Sequence, residues 1–142
     1  MTKVDENAYV PEIDDAARQR LSEVLDKEGV VAAMLIGSQA RGEAGPLSDV
    51  DIAVWHDPEI EDSKQQLDFQ LSLTKAALDA LGTDGVNVVM LNQATPLLQH
   101  RAIRDAVLLV ERDRAQRVRF ETRAILEFLD LKPLYEQFGQ LD

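Results

Sequence analysis

The sequence predicts an α+β fold, a mixed sheet with helices packed on it. Three observations lead there. Four apolar runs of strand length, at 30–36, 50–55, 86–91 and 107–110, are interleaved with longer segments whose apolar residues recur at helical spacing. Glycine or proline punctuates most junctions, at Gly29, Gly37, Pro58, Gly82, Gly85 and Pro96. The chain has 142 residues with a hydrophobic fraction of 45%, enough for one packed core. Strands mixed with helices in this way bury their apolar faces by laying helices on a sheet.

Each element has a local cause. Residues 1–12 are polar and acidic and are expected to form a flexible lead, with one domain over 13–142. Ile13, Ala17, Leu21, Val24 and Leu25 recur at helical spacing until Gly29. Val30 to Ile36 reads as a strand that ends at Gly37-Ser38. Residues 39–48 hold two glycines and Pro46, which suggests a short helical turn and then a loop. Val50 to Trp55 is a second strand. A helix is expected from Pro58 to about Leu81, and Val86 to Leu91 forms a third strand. Pro96 begins a helix to about Ala106, and Val107 to Val110 is a short strand. Residues 114–138 read as helix with a break near Pro133, because proline lacks the amide N–H the ladder needs.

Composition narrows the chemistry. With no cysteine, disulfides, thiolate catalysis and cysteine-ligated metals are excluded. With only His56 and His100, a histidine-rich metal site is out of reach, and a carboxylate site favours Mg²⁺, Mn²⁺ or Ca²⁺ over zinc. A net charge of −11 argues against direct nucleic-acid binding, which needs a basic footprint. Seven arginines and four acids give the window 101–123 a charge of +3, leaving −14 for the rest. That window reads either as a solvated helix face with pairs such as Asp113/Arg117 and Arg117/Glu121, or as a surface for triphosphate or an acidic partner. No apolar run is long enough to span a membrane, and the N-terminus lacks the pattern of a secretory signal, so a cytoplasmic location is expected.

The informative stretch is Gly37-Ser38-Gln39-Ala40-Arg41-Gly42 followed by Ser48-Asp49-Val50-Asp51-Ile52. A strand that turns into a helix at Gly-Ser presents free backbone N–H groups, an anion site reinforced by the helix dipole. Gly37 lets a phosphate approach the backbone, and Ser38 adds a hydroxyl donor. Arg41 either reaches a phosphate or makes a surface salt bridge. Asp49 and Asp51, two apart on a strand, share one face, while Val50, Ile52 and Val54 point to the other. Two carboxylates on one face repel unless a cation sits between them, and Mg²⁺ suits that place.

Gly-Ser, ten residues and then Asp-x-Asp resembles the motif of the DNA polymerase β-like nucleotidyltransferase superfamily. The flanking Ala40-Arg41-Gly42 and Ser48 are similar to its minimal nucleotidyltransferase (MNT) family, the MntA-type antitoxins of HEPN/MNT toxin–antitoxin systems. The resemblance implies a polymerase β palm-like fold. It also implies ATP as substrate with Mg²⁺ on Asp49 and Asp51, and nucleotide contacts from Gly37, Ser38, Arg41 and Ser48. The implied reaction moves AMP to a hydroxyl, and the implied partner is a HEPN-domain ribonuclease toxin silenced on a tyrosine. Homo- or hetero-oligomers are both open.

In that superfamily a third carboxylate on a neighbouring strand acts as general base, and the matching position here is Asn87. An amide offers an oxygen to a metal but takes no proton at neutral pH. Asp84, in the turn before, is a poor substitute. The alternatives to an AMP-transferring antitoxin are therefore a catalytically weak antitoxin that acts as a binding module, and transfer to a small molecule, against which the lack of an appended substrate domain counts. Of the remaining residues, His56 reads as a satisfied surface histidine or a ligand contact, and Trp55 as core or as a stacking surface for adenine. His100 reads as structural.

Overall fold

The computed structural model of the chain describes residues 13–42 and 49–139, so the lead expected over 1–12 lies outside it. The order is α1 (Asp15–Leu25), β1 (Val30–Ile36), α2 (Gly37–Arg41), β2 (Val50–His56), α3 (Ser63–Leu81), β3 (Val86–Met90), a 3₁₀ turn (Leu91–Gln93), α4 (Pro96–Asp105), β4 (Val107–Glu111) and α5 (Arg114–Gln137). The sheet runs β3-β2-β1-β4. β1 pairs antiparallel with both β2 and β4, and β2 pairs parallel with β3. This is the expected mixed α+β architecture.

The four longer helices start where a side chain satisfies a free N–H of the first turn. Asp14 accepts from Ala17, Asp62 from Gln65, Thr95 from Leu98 and Asp113 from Gln116. The cap at Asp62 moves the start of α3 five residues beyond Pro58, and 57–62 forms turns instead. Asp113 is spent on its cap, so Arg117 pairs with Glu111 at 2.6 Å and Glu121 at 2.9 Å rather than with Asp113. The third strand ends one residue early, since Leu91 opens the 3₁₀ turn.

The break expected at Pro133 does not occur, and α5 continues to Gln137. Proline costs the helix one hydrogen bond, to the carbonyl of Leu129, and Leu129 lies on the exposed side of the helix.

Both faces of the sheet are covered. On one face Leu21, Leu25 and Leu73 from α1 and α3 pack on Ala33, Leu35, Ile52 and Val54. On the other, Ala102 of α4 and Ala124 of α5 pack on Met34, Ala53 and Trp55, with Phe120 beside them. Fully burying a leucine or isoleucine contributes about 1.5–3 kcal/mol. Two covered faces explain why β1 is apolar at every position: all seven of its residues are buried. Among the described residues no helix is long and apolar enough to cross a membrane.

Candidate active site

The site forms where β1 ends and β2 begins. These strands are antiparallel neighbours, with Ile36 opposite Asp51, so the turn after β1 meets the acidic start of β2. Asp49 and Asp51 have the parity of Ala53 and Trp55, which places Asp51 on the sheet face that carries α4 and α5. Val50, Ile52 and Val54 point into the opposite core.

Gly37 has φ +72°, and a Cβ built there would stand 2.7 Å from Asp51 Oδ2. Two independent constraints therefore demand glycine: left-handed backbone and contact with a carboxylate. The helix that follows is only five residues long and begins at Gly37-Ser38. Gln39, one residue on, is 2% exposed, and its Oε1 accepts a hydrogen bond from the Ile13 amide at 3.0 Å. This tie fixes the start of the described chain to the turn at the site. Sequence reading passed over Gln39, and its only signal is a polar residue where α2 faces the interior.

Asn87 pairs with Asp51 across the parallel β2–β3 ladder. Its Nδ2 donates to Asp49 Oδ2 and to Asp51 Oδ1, both at 3.2 Å. A single nitrogen reaching both carboxylates means that they converge on a common point. The amide hydrogens must face them, since the carbonyl oxygen would be repelled. The structure thus brings Gly37, Asp49, Asp51 and Asn87 together, with Ser38 next along the turn.

The Arg41 guanidinium makes an ion pair with Asp105 at 3.6 Å, at the end of α4. The hydrogen bond from Arg104, helped by the charge of Arg41, holds the Asp105 carboxyl below the usual carboxylate range. Ser48 lies outside the described residues.

His56 is buried, not on the surface as the sequence suggested. Asn92 holds its backbone from both sides, accepting from His56 N at 2.9 Å and donating to His56 O at 3.1 Å. Gln93 Nε2 donates to ring Nε2 at 2.8 Å, which leaves Nδ1 to donate to the Asp57 carbonyl, also at 2.8 Å. Both ring nitrogens are satisfied, so this histidine ties β2 to the 3₁₀ turn. Trp55 is 2% exposed and packs on Phe120 at 5.1 Å between ring centroids, which makes it core. His100 stacks on Phe128 at 3.7 Å, and burial together with Arg104 and Lys132 pushes its pKa below the ordinary value.

Comparison with known proteins gives the class of this chain. Residues 19–115 match the sequence profile of the polymerase beta, nucleotidyltransferase family, and the chain belongs to that family. It is therefore a nucleotidyltransferase by family. It is similar to a Methanocaldococcus jannaschii protein to which protein adenylyltransferase activity is assigned by inference, with 34% identity over 90 residues, or 63% of this chain and 90% of that one. The fold is shared with a chain of a toxin–antitoxin complex with AMP-PNP, at a TM-score of 0.68 and 20% identity over 85% of this chain and 94% of that one. It is also shared with a chain of a complex between tri-AMPylated Shewanella oneidensis HEPN toxin and MNT antitoxin, at a TM-score of 0.63 and 18% identity over 86% and 92%.

Proposed function

We propose that this chain transfers AMP from ATP to a hydroxyl of a protein partner, with release of pyrophosphate, and that it acts in the cytoplasm as the antitoxin of a HEPN-domain ribonuclease toxin. The observation that carries this reading is the convergence of Asp49 and Asp51 beside the Cβ-free backbone of Gly37. In it, Gly37 and Ser38 cradle the triphosphate with backbone N–H groups and one hydroxyl. Asp49 and Asp51 are hard oxygen donors aimed at one point, a donor set that fits Mg²⁺. When bound there, Mg²⁺ would neutralise phosphate charge and polarise the reacting phosphoryl group. Arg41, whose guanidinium also pairs with Asp105, and Ser48 are retained from the motif. The family relative and the AMPylated toxin complex support a protein acceptor, with tyrosine as the expected residue.

The second reading, a binding module that neutralises its partner without chemistry, rests on one observation. The residue in register with Asp51 is a neutral amide, and loss of a general base costs roughly 10²–10⁴-fold in rate.

The test is incubation of the purified chain with Mg²⁺, labelled ATP and a HEPN-domain protein from the same genome, followed by mass spectrometry of both proteins. AMP on a partner tyrosine with matching pyrophosphate release is the expected result. Stoichiometric neutralisation without transfer would hand the case to the second reading. Transfer to neither protein and no neutralisation would overturn both.

A further inference from the structure

The chemistry of position 87 bears on how many cations the site holds. This inference rests on the nucleotide site assigned above. Many enzymes that displace groups at phosphorus use two divalent ions about 3.5–4 Å apart, one on the attacking oxygen and one on the leaving group. The cation that arrives with a triphosphate draws most of its ligands from phosphate oxygens, so two protein carboxylates suffice for it. A cation on the acceptor side has no such carrier, and its affinity comes mainly from charged protein oxygens.

Among the described residues that charge is missing. Among the described residues no third His, Cys, Asp or Glu joins Asp49 and Asp51 in a group that could hold a metal ion. The side chain that faces both is Asn87, which presents N–H groups rather than oxygen. To serve a second cation, the amide would have to turn over and give up two charge-assisted hydrogen bonds, gaining only a neutral ligand in return. Mg²⁺ surrenders its water reluctantly, so this exchange disfavours a second ion twice over.

We infer that the site retains one divalent cation per chain, the one that accompanies the triphosphate, and that Asn87 replaces the acceptor-side cation with a fixed hydrogen-bond clamp on Asp49 and Asp51. Asn87 is thus a positioning residue and not a metal ligand. The two carboxylates each lose one lone pair to the clamp and keep the others for the nucleotide-bound ion.

Manganese provides the readout, because two Mn²⁺ ions at that separation couple magnetically and one does not. The chain is saturated with a non-hydrolysable ATP analogue and titrated with Mn²⁺, following free ion and lineshape by electron paramagnetic resonance and analogue binding by calorimetry. The expected result is one bound Mn²⁺ per chain with an uncoupled spectrum. Asn87→Asp should gain a second, coupled ion, with second-site affinity raised about tenfold or more by the added charged ligand. Asn87→Ala should still bind one ion, which a merely structural residue and a clamp share but a metal ligand does not.

Two coupled ions in the wild type would overturn the inference while leaving the nucleotide site standing. So would loss of the single ion in Asn87→Ala with the fold intact by circular dichroism. No binding of analogue or Mn²⁺ by the folded wild type would instead overturn the nucleotide site itself.

Discussion

Gly37→Ala is the smallest change that tests the site, because it adds one methyl group at a position where the structure leaves no room. The new Cβ would stand 2.7 Å from Asp51 Oδ2, and ordinary contact begins near 3.4 Å, so the carboxylate must retreat by about 0.7 Å. Metal–ligand distances tolerate only about 0.2 Å. Misplacement on the order of 1 Å costs about 10²-fold in rate. We therefore expect turnover to fall about 100-fold, with a matching loss of Mg²⁺-dependent ATP affinity. The alanine must also adopt φ +72°, which costs about 1–2 kcal/mol and lowers Tm by roughly 2–8 °C. Calorimetry of Mg²⁺·ATP binding alongside a thermal melt separates the two effects. A variant that melts a few degrees early yet binds Mg²⁺·ATP with wild-type affinity would refute the reasoning, since Asp51 would then have no part in holding the nucleotide's cation.

Three further outcomes are expected. Asp49→Asn with Asp51→Asn should abolish Mg²⁺-dependent ATP binding and leave circular dichroism unchanged; retained affinity in calorimetry would remove both from the site. Asn87→Asp supplies a charged oxygen in register with Asp51, as proton acceptor or as ligand to a second cation, and should raise the transfer rate about tenfold or more if activation of the acceptor hydroxyl limits the reaction; a slower variant would place that activation on another group. His100 should titrate below 6.5 by NMR, because burial and the charges of Arg104 and Lys132 oppose its protonation. In that pH window the unfolded state binds more protons than the folded one. The stabilisation from the neutral ring is therefore present above pH 6.5 and is lost as pH falls through the folded pKa. Replacement by Gln should flatten that part of the Tm–pH curve, and an unchanged curve would mean that the stacked ring does not titrate there.

What the sequence alone carried was information of short range. Alternation on a strand is a two-residue rule, so Asp49 and Asp51 had to share a face once Val50, Ile52 and Val54 were assigned to the core. Proline and glycine act within a turn, so Gly82 and Pro96 marked helix ends near where they fall. The spacing from Gly37-Ser38 to Asp49 and Asp51 was enough to suggest the family before any strand was paired. Local rules failed where a long-range contact outweighed them. His56 looked like a surface residue because only one of its ring nitrogens finds a partner nearby in sequence, the Asp57 carbonyl, and it is Gln93, in the 3₁₀ turn more than thirty residues later, that satisfies the other. Pro133 looked like a break, but the lost bond falls on the exposed residue Leu129 and the helix continues.

Tertiary structure alone decided the register that sets Asn87 against Asp51, the parallel order that brings β3 beside β2, and the pairing of Arg41 with Asp105. It also supplied a second reason for glycine at position 37. The sequence suggests a turn there, but only the folded sheet brings the Asp51 carboxylate to where a Cβ would be. The physical reason is that backbone periodicity is encoded residue by residue, whereas the meeting of β1, β2 and β3 is settled by which faces bury best together.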